Sequence, residues 1–302
     1  MKKYILLTSL LILLISSFTY LQFQSVAPKV SVLMPTYNRA HRVQAAIDSI
    51  LNQTYKDFEF IIVNDGSSDE TAAVLNTRKN KDKRIIVLTN TENKGITFSL
   101  NRALKIARGK YIVRMDDDDV SLPYRFEKQI DYLDKHPDIA VLGSAIKIPQ
   151  KDNVLHLAKN EHEAKILSYF QVPVYHPTTM IRRSFLKDHN ITYEKKYDAA
   201  EDTAFWYRII QEGGKITNYP EPLVIQDIYS PKNYSFHKQA DSFNHFIRMT
   251  LKPFFEKEEL NQLSYPLSHK KFCFIIKRFH EKNENNFFDE EALKSLSEKY
   301  CY

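Results

Sequence analysis

Gly109-Lys110-Tyr111-Ile112-Val113-Arg114-Met115-Asp116-Asp117-Asp118-Asp119 joins a short apolar run to four consecutive carboxylates. Tyr111 to Val113 reads as a buried strand. Adjacent carboxylates repel one another, and a cation bound among them relieves that cost. Oxygen-rich surroundings, poor in His and Cys, suit Mg²⁺ or Mn²⁺. An acidic run taken alone is most often a solvated turn. This one follows a strand, and open α/β sheets bind ligands at strand C-terminal ends. A calcium loop is the other reading. Asp116, Asp118 and Glu127 fall on the EF-hand spacing, but Val120, Ser121 in place of the Gly, and Pro123 do not.

Working outward, strands and helices alternate. Val30 to Met34 is a strand that ends at Pro35-Thr36-Tyr37-Asn38, and Val43, Ala46, Ile47, Ile50 and Leu51 then recur at helical spacing. Phe58 to Val63 is the next strand. It ends at Asn64-Asp65-Gly66-Ser67-Ser68-Asp69, where Gly66 marks a turn and Ser68 or Asp69 caps the following helix. Arg84 to Leu88 is a third strand. Asn93-Lys94-Gly95 opens a helix bearing Leu100, Ala103, Leu104 and Ala107, which Gly109 ends. The pattern predicts an α/β fold, a doubly wound and mainly parallel sheet with helices on both faces. Its polar clusters all collect in one crevice at the strand ends.

Downstream, Arg125 to Leu133 is an amphipathic helix and Ile139 to Gly143 a strand. Residues 149 to 162 read as a loop. Val174 to Ile181 reads as a strand entered through a tight turn, with Pro177 fixing the backbone. Glu201-Asp202 opens a helix carrying Phe205, Trp206, Ile209 and Ile210, closed by Gly213-Gly214. Three parts are expected: residues 1–27, a main domain at 28–235, and a C-terminal helical appendage at 236–302.

The 302 residues are 43% hydrophobic and 26% charged, which is ordinary for a globular chain. The net charge of +6 is spread out and forms no nucleic-acid arm, so nucleic acid is not an expected partner. The two cysteines, Cys273 and Cys301, have no metal-ligand spacing and make no disulfide framework. Lys2 and Lys3 precede an uncharged stretch whose centre, Leu10 to Ile15, is strongly apolar. It reads as a signal peptide or a single membrane anchor. Pro28 sits badly after a cut at Ala27, which favours the uncleaved anchor. The two lysines place the N-terminus in the cytoplasm, and so the domain in a lumen or outside the cytoplasm rather than inside it.

Five pieces together resemble glycosyltransferase family 2, with the GT-A fold. They are Pro35-Thr36-Tyr37-Asn38, Val63 to Asp69, Asn93-Lys94-Gly95, Met115 to Asp119 followed by Leu122-Pro123, and Ala200-Glu201-Asp202 with Trp206. The resemblance covers about residues 30 to 230. It implies inverting, metal-dependent transfer of a hexosyl or N-acetylhexosaminyl group from a nucleotide-sugar, a UDP-sugar first, to a hydroxyl of a glycan, lipid-linked or protein-linked acceptor.

The resemblance also implies roles. Pro35, Thr36, Tyr37, Asn38, Asp65, Asn93, Gly95 and Arg114 belong to the donor nucleotide site, with Asp65 as the acceptor for a base N–H and Tyr37 stacking on the ring. Asp116 and Asp118 form the DxD pair. Asp118 is expected to hold Mn²⁺ or Mg²⁺, with Asp116 or Asp117 at the ribose. Asp202 is the general base, Glu201 orients the site, and Trp206 and His176 lie on the acceptor side. The bland alternatives are a helix cap for Asp202 and core packing for Trp206 and His176.

The chain departs from the family in one place. The stretch that often reads Tyr-Arg-x-His ahead of a Ser here reads Asp227-Ile228-Tyr229-Ser230 ahead of Ser235, so either Lys232 or His237 substitutes or the loop does not close over the donor in the usual way. A transferase-like binding protein of weak or no activity is therefore the second expectation, and an oligomer through the appendage is compatible with either. A nucleotidyltransferase or a dinucleotide oxidoreductase would need a Gly-rich loop after the first strand, and none is there.

Overall fold

A computed structural model describes residues 27–149, 153–226, 236–263, 266–283 and 286–301, without the side chains of 236–239. The frame is one nine-stranded sheet. In chain order its strands are β1 (Val30–Thr36), β2 (Phe58–Asn64), β3 (Ile85–Thr89), β4 (Tyr111–Arg114), β5 (Val120–Ser121), β6 (Ile139–Ile148), β7 (Asn153–Leu155), β8 (Met180–Arg182) and β9 (Lys215–Ile225). They lie side by side as β3-β2-β1-β4-β8-β6-β9-β5, with β7 on β6.

Period-two alternation sends the strand side chains to two separate cores. Leu33, Ile61, Val63 and Ile112 face one side. Val32, Met34, Phe60, Ile62 and Val113 face the other. Helices α1 (Val43–Leu51), α2 (Thr71–Lys81) and α4 (Arg125–Lys135) cover the second face. Helices α3 (Ile96–Ile106), α5 (Glu161–Leu167) and α7 (Glu201–Gln211) cover the first, while the short α6 (Arg183–Asp188) follows β8. Both faces are therefore wound, as the alternation predicts.

The sheet is parallel from β1 to β4. Strand β8 then enters between β4 and β6, antiparallel to both, which makes the sheet mixed. A 3₁₀ turn at His176–Thr178 leads directly into β8. Two boundaries also move. β6 continues to Ile148, well past Gly143, and part of the 149–162 stretch is β7 and the start of α5.

The C-terminal residues are helical: α8 (Phe236–Leu251), α9 (Lys257–Gln262), α10 (His269–Glu281) and α11 (Glu290–Cys301). Their apolar faces are not a separate core. Phe246, Leu251, Ile276, Phe279 and Leu293 belong to the same cluster as Leu33 and Ile61. Tyr169 stands edge-on to Phe254, Phe279 and Phe288 at centroid distances of 5.5, 5.8 and 5.6 Å. The cysteines correct the sequence reading. Cys273 of α10 and Cys301 of α11 are disulfide-bonded, with their Cα atoms 5.0 Å apart. A separation of 28 residues hides that proximity until two antiparallel helices bring the ends together. Among the described residues no helix is long and apolar enough to cross a membrane. The apolar N-terminal stretch and the Asp227 to Ser235 departure lie outside the described residues.

Candidate active site

The C-terminal ends of β1, β2 and β4 open into one crevice. At β1, Pro35 pairs with Val63 and Thr36 with Asn64. Tyr37 is half-buried just beyond. Asn38 takes a left-handed φ of 54° and stitches two loops: its N–H donates to Ser67 Oγ at 2.9 Å, and its Oδ1 accepts from Ser68 N at 2.9 Å. Gly66 is required at the β2 end. Its φ is +69°, and a Cβ there would run into the backbone of Glu92.

Asp65 is buried and heavily engaged. Its Oδ1 accepts from Asn90 Nδ2 at 2.6 Å and Lys94 N at 3.0 Å, and its Oδ2 from Gly95 N at 2.9 Å. Asn93 Oδ1 also accepts from Gly95 N at 3.1 Å. Asp65 thus positions the Asn93-Lys94-Gly95 turn against the β2 end, a task the sequence did not reveal. Asp69 accepts from Thr71 N at 3.0 Å from one residue before the N-cap position of α2, which Glu70 occupies.

The acidic run hangs from β4 and is tied to β1 by Met115 N donating to Leu33 O at 3.1 Å. Asp116, Asp118 and Asp119 each offer a carboxylate oxygen, all within 4.8 Å of one another. An all-oxygen donor set of this kind fits a hard divalent cation. Asp117 points instead toward Thr36 and Arg39. Burial pushes its carboxyl up to about 7, and Asp118 and Asp116 add to that, while the Thr36 hydroxyl and Arg39 pull it back. Arg39 spans two members of the run, 3.6 Å from Asp117 and 3.7 Å from Asp118.

Below the run lies a buried network with no counterpart in the sequence reading. Arg125, fully buried on α4, donates to the carbonyls of Arg114 at 3.1 Å and Thr179 at 3.2 Å, and to Gln129 Oε1 at 3.0 Å. Gln129 continues to Leu142 O at 3.0 Å and Thr178 O at 2.8 Å. Gln53 reaches Ser121 Oγ at 3.1 Å and Leu122 O at 2.8 Å. Burial lowers the Arg125 pKa to about 9, and the buried Asp119 opposes that shift. Asp119 thus balances a buried cation besides joining the carboxylate cluster. The signal was in the sequence: Arg125 and Gln129 sit i, i+4 on the apolar face that carries Phe126, Ile130 and Leu133. Arg125→Met is expected to destabilise the protein by about 3–5 kcal/mol, since it removes the buried donor to the Arg114 and Thr179 carbonyls and to Gln129 Oε1. Urea unfolding measures this, and a midpoint like that of wild type would refute the importance of these bonds.

Across the crevice, α7 starts at Glu201, after Ala199 with φ 77°. Glu201 is buried, and its Oε2 has no hydrogen-bond partner among the described residues. Burial pushes its carboxyl up to about 8, with the neighbouring Asp202 charge adding to the shift. Burial raises Asp202 as well, against hydrogen bonds from Thr203. Thr203 N donates to Asp202 Oδ1 at 2.7 Å. The buried Arg114 stands between the two halves of the site. It is ion-paired with Asp116, and its charge also favours the ionised forms of Glu201 and Asp202.

His176 and Trp206 lie elsewhere than the acceptor-side surface. Trp206 is 0% exposed, edge-on to His176 at 5.5 Å and to Phe205 at 5.1 Å. His176 Nε2 lies 2.8 Å from Tyr193 Oη, and burial holds its pKa well below the ordinary value. Trp206, on the buried face of α7, and His176 are both core residues. The surface that Asp202 does face is a cleft of ≈ 280 Å³ with walls of Phe170, Val172, Phe243, Leu267 and Phe272. Its walls come from three distant stretches, so no local motif announces it.

The profile of the family described as Glycosyl transferase family 2 matches residues 31–192. The chain belongs to that family, and it is an enzyme that transfers a sugar from a nucleotide-sugar. A Haemophilus influenzae protein described as an uncharacterized glycosyltransferase is 33% identical over 232 residues, covering 71% of this chain and 70% of its own. The Escherichia coli UDP-Glc:alpha-D-GlcNAc-diphosphoundecaprenol beta-1,3-glucosyltransferase WfaP is 31% identical over 193 residues, covering 63% and 73%. The S. aureus TarS 1-349 structure in complex with UDP superposes with a TM-score of 0.61 at 21% identity, over 88% of this chain and 77% of that one. This likeness shows a shared GT-A-type fold.

Proposed function

We propose that the protein is a metal-dependent, inverting glycosyltransferase that moves a sugar from a UDP-sugar to an acceptor hydroxyl. One observation carries this reading: a carboxylate cluster at the β4 end faces a second, buried carboxylate pair on α7, with Arg114 between them. The donor type is supported by the donor in the WfaP name and by the nucleotide in the TarS complex.

Asp118 and Asp116 would hold Mn²⁺ or Mg²⁺, which when bound neutralises charge on the departing diphosphate. Asp65, through the turn it holds, and Pro35, Thr36, Tyr37 and Asn38 shape the nucleotide side. Asp202 takes the proton of the acceptor hydroxyl as the new bond forms. Burial raises both carboxyls and each charge opposes the other, so the pair resists carrying two charges at once. Asp202, which faces the cleft, serves as the base. Base and leaving group lie on opposite sides of the transferred sugar, which gives inversion. The N-terminal segment anchors the enzyme to a membrane, with the domain on the lumenal or extracytoplasmic face. Protease protection of intact membranes tests that topology.

The first test is UDP release from UDP-sugars, with Mn²⁺ and with EDTA. Release with no common donor would remove the UDP assignment, and release unaffected by EDTA would remove the metal. Arg39 gives a second test. Its guanidinium occupies the space between Asp117 and Asp118 and repels any divalent ion entering there. Arg39→Gln is expected to bind Mn²⁺, without nucleotide, about tenfold more tightly by EPR titration. Equal affinity would mean that Arg39 does not guard the site.

A further inference from the structure

On the transferase reading, the cleft beside Asp202 carries information about the acceptor. Among the described residues its walls are Phe170, Val172, Phe243, Leu267 and Phe272, and no donor-side residue lines it. Its polar side chains among the described residues are Gln171, Asp202 and Thr203. Two of these are already committed to each other, since Thr203 N and Oγ1 both donate to Asp202 Oδ1, at 2.7 and 3.2 Å. Gln171 Oε1 accepts from Tyr300 Oη at 3.4 Å. A bare sugar buried here would leave several hydroxyls unpaired, each weakening binding by about tenfold. Apolar surface, by contrast, gains affinity against phenyl rings and Leu. The reacting hydroxyl must still reach Asp202.

We propose that the acceptor is a sugar with an apolar aglycone, and that the cleft receives the aglycone while the acceptor hydroxyl meets Asp202. Phe243 of α8, Leu267 just ahead of α10 and Phe272 in its first turn form much of this cleft, so the C-terminal region takes part in choosing the acceptor. Their apolar faces dock in the main core, which holds the cleft walls in place against α7.

The test uses the full chain and two readouts. In the first, calorimetry compares benzyl and methyl β-glycosides of glucose, galactose and N-acetylglucosamine. For at least one sugar the benzyl glycoside is expected to bind at least about tenfold more tightly than the methyl glycoside. Phe243→Ala, and separately Leu267→Asn in the loop ahead of α10, are expected to abolish that difference. Circular dichroism confirms that each variant is folded. Equal binding of benzyl and methyl glycosides, binding of neither, or a benzyl preference that survives both variants would overturn the proposal. In the second readout, UDP-sugar hydrolysis without acceptor judges the donor reading alone. Its absence from wild type would sink the UDP-transferase reading, while the glycoside titrations would still decide the cleft.

Discussion

Asp202→Asn is expected to lower the transfer kcat by about 10²- to 10⁴-fold, the usual contribution of a general base. The side chain keeps its shape and its Oδ1 can still accept from Thr203, so folding and nucleotide binding should be preserved. A loss in kcat, with UDP affinity unchanged by calorimetry, is the expected signature. Equal losses in UDP affinity and in rate would place Asp202 on the donor side instead. The pH dependence follows from the same environment. Burial raises the Asp202 carboxyl, so the rising limb of the pH–rate profile should lie above the ordinary aspartate range. Glu201 contributes to stability with a defined sign. Its carboxyl goes from 4.5 unfolded to about 8 folded, so the folded protein holds the proton more tightly. Stability is then fully present below the unfolded value and is lost as pH rises through the folded one. Glu201→Gln stays neutral and escapes that loss. Its Tm should match wild type below pH ~4.5, pull ahead as pH rises from there, and hold a constant lead above pH ~8, with each 1 kcal/mol relieved worth about 2–4 °C. A Tm gain independent of pH would show that the Glu201 charge is not the cause.

Asp118→Asn is expected to raise the Mn²⁺ concentration for half-maximal activity by at least about tenfold, since one anionic ligand of a small cluster becomes a neutral one. Asp119→Asn makes an informative contrast. Asp119 offers an oxygen to the same cluster but is buried beside Arg125. It should lose fold stability as well as metal affinity, whereas Asp118→Asn should unfold like wild type. Parallel Mn²⁺ titrations and urea melts separate the two carboxylates. If Asp118→Asn left the Mn²⁺ requirement unchanged, Asp116 and Asp119 would have to hold the ion without it.

The crevice was legible because its parts are local. Pro35 to Asn38, Asp65, Asn93 to Gly95 and Asp116 to Asp119 each end a strand or open a helix, and a parallel sheet gathers such ends on one edge. The bond from Thr71 N to Asp69 ahead of α2 and the turn at Gly66 follow from residue chemistry over a few positions. The division of labour inside the acidic run was not legible. Four identical side chains differ only in what surrounds them: Arg114 for Asp116, Thr36 and Arg39 for Asp117, and buried Arg125 for Asp119. Trp206 and His176 could not be placed either, because an aromatic at helical spacing next to a reactive carboxylate fits a pocket wall and a core equally well. Burial against Phe205 and Tyr193 puts both in the core.

By itself the sequence determined the alternating α/β architecture, the carboxylates at the strand ends and the family, because period, turn chemistry and motif order are properties of neighbouring residues. Only the tertiary structure decided the reversed direction of β8, the buried bonds of Arg125, Gln129 and Gln53, the pairing of Cys273 with Cys301 and the apolar cleft beside Asp202. Each of these joins residues far apart along the chain. Which distant side chains meet is set by how two hydrophobic cores and a mixed sheet close together, and no stretch of neighbouring residues encodes that. The four carboxylates show both halves: their presence and position were written locally, and their separate tasks came from Arg39, Arg114 and Arg125 converging on them in the folded protein.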